Sequence, residues 1–222
     1  MNIDYAIINT DLNENQIKEL IKKITSYSTV NSITVPYYLI KNVKNLSNLD
    51  ISCLIDYPMG IADPSSRLYS IKQASKAGAN TIDIAMPQNL AANRKYDKIR
   101  EDVKNVSELS KSLNLKVKYV LEYRIFDHYC LKKICEIFDQ YGIHYVYPST
   151  SYFVDNLADN ILAAIFLYQN SKDLNIYCTG NIWTNKHFET MQKSGLFGFR
   201  TTSIHTLDNF MNFNCSTKNN GV

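Results

Sequence analysis

Residues Ile51–Asn89 read ISCLIDYPMGIADPSSRLYSIKQASKAGANTIDIAMPQN, which is the pattern of one β-α-β unit. A short apolar run is followed by a turn, an amphipathic helical segment, Gly-Ala-Asn and a second apolar run. Asp63 followed by Pro64 is typical of a helix start. Gly78 lies just past the helix, where a left-handed residue commonly ends one. This stretch therefore predicts two strands joined by one helix.

The same alternation of strand and helix patterns continues along the chain. The predicted strands are Ile3–Ile8, Ser32–Val35, Ser52–Ile55, Thr81–Ala85, Lys116–Leu121, Tyr145–Tyr147, Asn175–Cys178 and Gly198–Thr201. The predicted helices include Glu14–Ser26, Pro64–Ala77, Tyr96–Leu113, His128–Tyr141, Asn156–Asn170 and Asn185–Lys193. This alternation favours an α/β fold, a single-domain (β/α)8 TIM barrel over residues 1–211 with a polar tail at 212–222. The alternative is an open doubly wound sheet, but the chain contains neither a GxGxxG nor a GxxxxGK(S/T) phosphate loop.

Composition and charge argue against several classes of protein. With 222 residues, 45% of them hydrophobic, the chain can bury the core of one domain. Its 24 basic and 21 acidic residues are spread along the sequence, so no basic block predicts a nucleic-acid or membrane partner. The five cysteines include no CxxC pair, which argues against a disulfide framework or a zinc site, and no cofactor is expected. Without a leader pattern or a run of 18 apolar residues, the sequence predicts a soluble cytoplasmic protein.

A carboxylate in the middle of an apolar strand is the first candidate for chemistry. Asp83 interrupts the strand TIDIA, and a buried charge is unfavourable unless that side of the strand lines something polar. Alternation turns Lys118 and Glu122 to the same inward side, and Asp4 alternates in the same way in the first strand. An inward lysine between carboxylates is either a structural ion pair or a proton relay. The carboxylates are expected to raise the pKa of Lys118.

Polar residues after the last two strands form a candidate anion site. Thr179-Gly180-Asn181 follows the seventh predicted strand, and Arg200-Thr201-Thr202-Ser203 ends the eighth. These loops are the usual anion site of a (β/α)8 barrel, and Arg200 could add a charge-assisted contact. Helix capping by Thr202 and Ser203 explains their hydroxyls equally well.

Several segments resemble the deoxyribose-phosphate aldolase family, class I aldolases on a (β/α)8 barrel that hold their substrate as a lysine imine. The segments are IDYAIINTDLNENQI at Ile3–Ile17, IDYPMG at Ile55–Gly60, KAGANTIDI at Lys76–Ile84, LKVKYVLEY at Leu115–Tyr123 and GFRTTS at Gly198–Ser203. The resemblance covers nearly the whole chain apart from the tail. It implies that Asp83 is the catalytic carboxylate, that Lys118 belongs to the active-site relay and that Asp4 is its acidic partner.

Two positions depart from the pattern of that family. In YVYPSTS at Tyr145–Ser151, Tyr147 stands where the resemblance implies the imine-forming lysine, and in IYCTGNIWT at Ile176–Thr184, Tyr177 stands for the second lysine. A phenol cannot form an imine and is neutral at pH 7, so the resemblance implies that the usual mechanism is lost. From residue type alone, each tyrosine is either a core aromatic or a general acid. Arg200 replaces a family glycine, which implies a reshaped phosphate pocket.

Two functions are left open by the sequence. The first is a divergent aldolase-like enzyme that cleaves or forms a C–C bond, or enolises, in a small carbonyl compound that resembles a sugar phosphate. Asp83 would accept a proton, Lys118 would be a charged partner or a substitute imine lysine, and both phenols would donate to an oxyanion. The second is a non-catalytic homologue that binds a metabolite or a protein partner. A homodimer is one assembly the sequence leaves open. The residues expected around a ligand are Thr34, Ser149, Thr150, Gly180, Asn181, Arg200, Thr202 and Ser203.

Overall fold

The computed structural model describes residues 1–9, 11–152, 156–181 and 183–219, and the strands among these residues form one closed parallel barrel. Each strand pairs with the next one in the chain, and β8 pairs with β1. The strands are β1 (Asn2–Ala6), β2 (Val30–Val35), β3 (Asp50–Ile55), β4 (Thr81–Ala85), β5 (Lys116–Val120), β6 (Tyr145–Tyr147), β7 (Asn175–Thr179) and β8 (Gly198–Thr201). The (β/α)8 barrel predicted from the sequence is therefore confirmed.

Helices follow the strands and cover the outside of the barrel. They are α1 (Glu14–Thr25), α2 (Ile40–Leu46), α3 (Pro64–Ala77), α4 (Gln88–Ala92), α5 (Tyr96–Ser112), α6 (His128–Tyr141), α7 (Leu157–Gln169), α8 (Asn185–Lys193) and α9 (Ile204–Asn219). Asp63 caps α3 by accepting the backbone amides of Ser65 and Ser66, and Gly78 ends it with φ 109°. Among the residues described, no helix combines the length and the apolarity needed to cross a bilayer.

The structure differs from the sequence prediction in three helices. Two of them, α2 and α4, have seven and five residues, which is too short for a clear helical period. The third, α9, runs through residues 212–219, where the sequence predicts a polar tail. Phe213 is buried and packs on Phe188 of α8, with ring centroids 5.4 Å apart. Leu207, Phe210 and Phe213 recur every third residue, so they lie on one face of the helix.

Closure of the barrel depends on a close approach between β8 and β1. Gly198 pairs with Asn2, and a Cβ atom at residue 198 would overlap the carbonyl oxygen of Asn2. Lack of space at the seam therefore requires glycine at this position.

A buried ion cluster connects α3 and α5 to the outer face of the barrel strands. Arg67 of α3 donates from Nε and Nη2 to the two carboxylate oxygens of Asp102 in α5, each at 3.1 Å. Its Nη1 donates to Asp56 at 2.6 Å and to the carbonyl oxygen of Ala85 at 3.0 Å. Tyr119 of β5 donates to Asp102 at 3.2 Å. Arg67 and Asp102 interrupt the apolar faces of their helices, which is the sequence signal that could have identified them.

Candidate functional site

Two carboxylates, one from β1 and one from β4, lie close together inside the barrel. Asp4 of β1 and Asp83 of β4 are both fully buried. Asp4 accepts hydrogen bonds from Ser32 at 2.6 Å and from Thr34 at 2.8 Å. Asp83 accepts from Ser52 at 2.5 Å and from the same Thr34 at 3.1 Å. The strand alternation that predicted inward carboxylates is thus confirmed for these two residues.

Arg200 of β8 is the principal counter-ion of both carboxylates. Its Nε donates to Asp4 at 2.6 Å, and its Nη2 forms an ion pair with Asp83 and donates to Thr34 at 2.9 Å. The guanidinium carbon lies 3.7 Å from the centroid of the Tyr147 ring. The sequence predicted an anion-binding arginine, but two of the three guanidinium nitrogens are committed to groups of the protein itself.

Lys118 of β5 contributes the second cation of this group. Its Nζ donates to the hydroxyl of Tyr147 at 3.2 Å and lies 3.9 Å from Asp83. Burial lowers the pKa of Lys118 and outweighs Asp4, which raises it. The expectation that the carboxylates raise this pKa overall is therefore wrong, because the ammonium has lost most of its hydration.

We name Asp4, Asp83, Lys118, Arg200 and Tyr147 the lumen cluster. It holds two carboxylates and two cations, so its formal charge is zero when all four ionise. Burial alone would raise the pKa of Asp4, but Lys118 and Arg200 outweigh it and hold that pKa well below the ordinary value of 3.8. The two neighbouring cations therefore keep Asp4 charged inside the barrel.

The lowered pKa of Asp4 predicts that part of the stability of the fold is lost in acid. The folded-state pKa lies below the unfolded one, so this contribution is complete above about pH 4 and is lost as the pH falls towards the folded-state pKa. Urea unfolding of the wild type and of Asp4→Asn between pH 7 and pH 3 measures it. The wild type is expected to lose more stability over this interval than the variant, and parallel losses would contradict the assignment.

The two tyrosines lie against each other, but only one of them belongs to the lumen cluster. Tyr147 is fully buried and donates to Asp4 at 2.9 Å. Its ring stacks on Tyr177 with centroids 5.0 Å apart, and Lys118 lies 5.0 Å from the Tyr177 ring centroid. Burial and the charge of Asp4 raise the pKa of both phenols above 10, so both are neutral at physiological pH. The hydroxyl of Tyr177 has no hydrogen bond to any residue in the described part of the chain.

A small cavity lies at the carboxyl ends of the strands, and we name it the mouth cavity. Its volume is about 60 Å³, and the predicted ligand residues that line it are Thr150, Gly180, Asn181, Arg200 and Thr202. Within the described chain, Arg200 Nη1 has no hydrogen-bond partner. The Asn181 side chain accepts from the amide and the hydroxyl of Thr202 at 3.3 and 2.7 Å.

The other predicted ligand residues have structural partners. Thr34 bridges Asp4, Asp83 and Arg200 inside the barrel. Ser149 accepts the amide of Ser151 at 3.0 Å, and the amide of Ser203 donates to Thr201 at 3.0 Å before α9 begins. Ser149 and Ser203 thus shape loops, Thr34 belongs to the barrel interior, and none of the three lines the mouth cavity.

A second cavity opens at the opposite end of the barrel. It has a volume of about 90 Å³ and is lined by Lys118 and Tyr177. Lys118 and Tyr177, which the sequence analysis named as candidate catalytic residues, both line this cavity at the amino ends of the strands. The direction of a long side chain along the barrel axis cannot be read from strand alternation.

Several residues complete the polar lumen. Ser32 and Ser52 were not singled out from the sequence, although each alternates with outward apolar residues in its strand. The predicted inward position of Glu122 is confirmed, because Glu122 is fully buried and accepts from Thr150 at 2.6 Å and from Arg124 at 2.9 Å. Among the described residues, no three His, Cys, Asp or Glu side chains are grouped so as to hold a metal ion.

Curated proteins resemble this chain over much of its length, although no family model matches it. Deoxyribose-phosphate aldolase of Clostridium tetani (strain Massachusetts / E88) is 29% identical over 152 residues, which cover 68% of this chain and 70% of that protein. The protein of the same name from Clostridium botulinum (strain ATCC 19397 / Type A) is 25% identical over 197 residues, with coverages of 87% and 91%.

Solved structures share the architecture of this chain. The aldolase QR15 superposes with a TM-score of 0.81 at 20% identity, over 90% of this chain and 89% of its own. Deoxyribose phosphate aldolase from Aeropyrum pernix, described as tetrameric, superposes with a TM-score of 0.80 at 18% identity, over 94% and 89%. These likenesses agree with the closed barrel. Together with the sequence matches, they confirm the resemblance noted above, and the chain is similar in sequence and in fold to the deoxyribose-phosphate aldolases.

Proposed function

We propose that this protein binds a small anionic metabolite of the sugar-phosphate class at the mouth cavity and forms no lysine imine there. The observation that carries the proposal is the position of Arg200. Its Nε donates to Asp4 and its Nη2 donates to Asp83, which leaves Nη1 for a ligand at the mouth cavity. The names of the curated relatives suggest a deoxyribose phosphate as the ligand.

The loss of imine chemistry follows from the side chains that line the lumen. By the family resemblance, Tyr147 and Tyr177 stand at the amine positions, and a phenol cannot condense with an aldehyde. Tyr147 is fully buried and is held by Asp4 and Lys118. Lys118 lines the cavity at the other end of the barrel. An aldehyde at the mouth cavity would therefore meet no amine.

Anion binding at the mouth cavity is supported by charge and by the nearby loops. Arg200 supplies a guanidinium nitrogen, and Gly180 and Thr202 line the same cavity. The 16-residue helix α9 begins two residues after Thr202, and the amino end of a helix favours negative charge. A volume of about 60 Å³ holds roughly two waters at liquid density, so the cavity suits the phosphate group of such a metabolite.

Isothermal titration calorimetry with 2-deoxyribose 5-phosphate and with inorganic phosphate tests the binding site. Asn181→Asp places a carboxylate of equal size at the mouth cavity and is expected to weaken both ligands at least about tenfold. A like charge a few ångströms from the anion costs more than the ~1.4 kcal/mol that a tenfold change represents. The control, Asn175→Asp, makes the same change at the other end of β7 and is expected to leave both affinities unchanged.

Two results would contradict the proposed function. Equal affinities of the wild type and Asn181→Asp would exclude the mouth cavity as the binding site. Release of acetaldehyde from 2-deoxyribose 5-phosphate by the wild type would show that the protein retains retro-aldol activity.

A catalytic function is the second candidate, favoured by the contact chain Lys118–Tyr147–Asp4. In that case Asp83 would accept a proton from the substrate and the phenols would donate to an oxyanion. This function requires Arg200 to leave Asp83 during turnover, since the carboxylate is otherwise fully paired. Exchange of α-protons of a bound aldehyde with deuterated solvent, abolished in Asp83→Asn, would favour it over binding alone.

A further inference from the structure

Tyr57 closes one side of the mouth cavity by a hydrogen bond between two loops. Its hydroxyl donates to the backbone carbonyl oxygen of Thr150 at 2.6 Å. Tyr57 follows β3 and Thr150 follows β6, so β4 and β5 lie between the two strands that this bond connects. Burial raises the pKa of Tyr57, so the phenol keeps its proton at neutral pH. Both residues line the mouth cavity, and we name their contact the Tyr57–Thr150 bridge.

The far side of the Tyr57–Thr150 bridge belongs to β4 and β5. Among the described residues, none from these two strands lines the mouth cavity. The inward residues at their carboxyl ends are Ala85 and Val120, which alternate with Asp83 and Lys118. Val120 packs against Tyr147 inside the barrel. The bridge therefore separates the mouth cavity from a part of the lumen that has small side chains.

The loop that carries Tyr57 is rigid, so only the side chain of Tyr57 has to move for the bridge to open. Asp56 accepts the backbone amides of Ile61 and Ala62, each at 3.1 Å. The same carboxylate forms an ion pair with buried Arg67 of α3 at 2.6 Å. These contacts hold the backbone on both sides of the turn. Rotation of the phenol away from the barrel would leave the loop in place.

The other end of the bridge is also held, so its carbonyl oxygen stays where it is when the phenol leaves. The hydroxyl of Thr150 donates to fully buried Glu122 at 2.6 Å and accepts the amide of Tyr152 at 3.2 Å. Thr150 is itself buried, and a buried carbonyl oxygen without a donor is unfavourable. A ligand hydroxyl at this position would restore the lost hydrogen bond.

We propose that Tyr57 is a gate residue that determines whether the mouth cavity accepts phosphate alone or a complete sugar phosphate. This inference rests on the proposed function, because it takes the phosphate group to lie beside Arg200. With the bridge closed, the volume of about 60 Å³ suits the phosphate group. When the phenol turns away, the sugar takes the space that the ring leaves, and one of its hydroxyls donates to the carbonyl oxygen of Thr150. The gate thus selects phosphate esters that carry a hydroxyl.

Isothermal titration calorimetry of Tyr57→Phe with 2-deoxyribose 5-phosphate and with inorganic phosphate tests the gate. The variant keeps the ring and removes the hydroxyl that closes the bridge. The affinity for the sugar phosphate relative to that for inorganic phosphate is expected to rise about fivefold, the change that one ordinary hydrogen bond represents. Tyr57→Leu removes the ring as well and is expected to raise this affinity ratio at least as much.

The matched control for Tyr57→Phe is Tyr5→Phe. The hydroxyl of Tyr5 donates to the backbone carbonyl oxygen of Thr202 at 2.7 Å, so this variant loses a bond of the same kind near the same cavity. Tyr5 alternates with inward Asp4 and packs in the core outside the strands. The affinity ratio of Tyr5→Phe is therefore expected to equal that of the wild type.

Failure of the gate and failure of the proposed function give different results. An affinity ratio that is unchanged in Tyr57→Phe, or that rises equally in Tyr5→Phe, would overturn the gate. Binding of inorganic phosphate by the wild type in the same experiment would leave the anion site intact. A wild type that binds neither ligand would overturn both, since the gate would have no ligand to admit.

Discussion

Replacement of Arg200 by methionine is expected to lower the free energy of unfolding by about 3–5 kcal/mol, the usual cost of removing one partner from a buried ion pair. Asp4 and Asp83 are fully buried, and Arg200 forms an ion pair with each of them. In Arg200→Met, Lys118 would be the one cation left in the lumen cluster. Urea unfolding at pH 7 measures the loss.

If unpaired charge causes this loss of stability, the loss depends on pH. The deficit of Arg200→Met relative to the wild type is expected to shrink as the pH falls from 7 to 5, because an unpaired buried carboxyl takes up a proton readily. The double variant Asp83→Asn/Arg200→Met is expected to regain part of the loss, since it removes one unpaired carboxylate. Arg100→Met, which removes an exposed pair with Asp97, controls for the loss of a surface arginine. A loss below about 1 kcal/mol in Arg200→Met would contradict the assigned role.

Replacement of Arg67 by methionine is also expected to lower the free energy of unfolding by about 3–5 kcal/mol, because it breaks the buried ion cluster on the outer wall of the barrel. Arg67 is buried and donates to both oxygens of Asp102, so the variant leaves this carboxylate unpaired against the wall of β5. Burial already raises the pKa of Asp102 in spite of the arginine, so Asp102 is expected to be protonated more readily in the variant. Thermal and urea unfolding at pH 7 measure the loss.

The matched control for Arg67→Met is Arg94→Met. Arg94 pairs with Asp127 at 2.7 Å, but both side chains are at least half exposed, so the variant is expected to change stability far less. Arg67→Lys keeps the charge and loses the two parallel bonds to Asp102, and an intermediate loss is expected. Equal stabilities of Arg67→Met and Arg94→Met would show that the buried cluster contributes little.

The fold could be predicted because the sequence repeats one pattern with clear boundaries. The strand Thr81–Ala85 and the helix Pro64–Ala77 were predicted to the residue, since Asp63 caps the helix and Gly78 ends it. Helices α2 and α4 were not predicted, because five to seven residues contain too little periodicity. Helix α9 was not among the predicted helices, because polar residues hide the three-residue spacing of Leu207, Phe210 and Phe213.

The site could be predicted only in part, because alternation gives the side of a strand and not the reach of a side chain. The inward positions of Asp4, Asp83 and Lys118 followed from a period of two. Alternation did not show that Arg200 would reach into the carboxylates, since this depends on the conformation of a long side chain. The sign of the pKa shift of Lys118 was wrong, because the balance of burial against charge requires distances in three dimensions.

The 3.7 Å contact between the Arg200 guanidinium and the Tyr147 ring constrains any redesign of the barrel into an amine catalyst. A lysine introduced at residue 147 would add a third cation to a group with two carboxylates and would lie beside the guanidinium. Repulsion between like charges would oppose protonation of the new amine and would strain the packing around it. Replacing both residues at once, Tyr147 by lysine and Arg200 by glycine, would keep the lumen cluster at zero formal charge. It would also free the space that the guanidinium fills. Engineering of this barrel therefore has to treat residues 147 and 200 as one coupled unit.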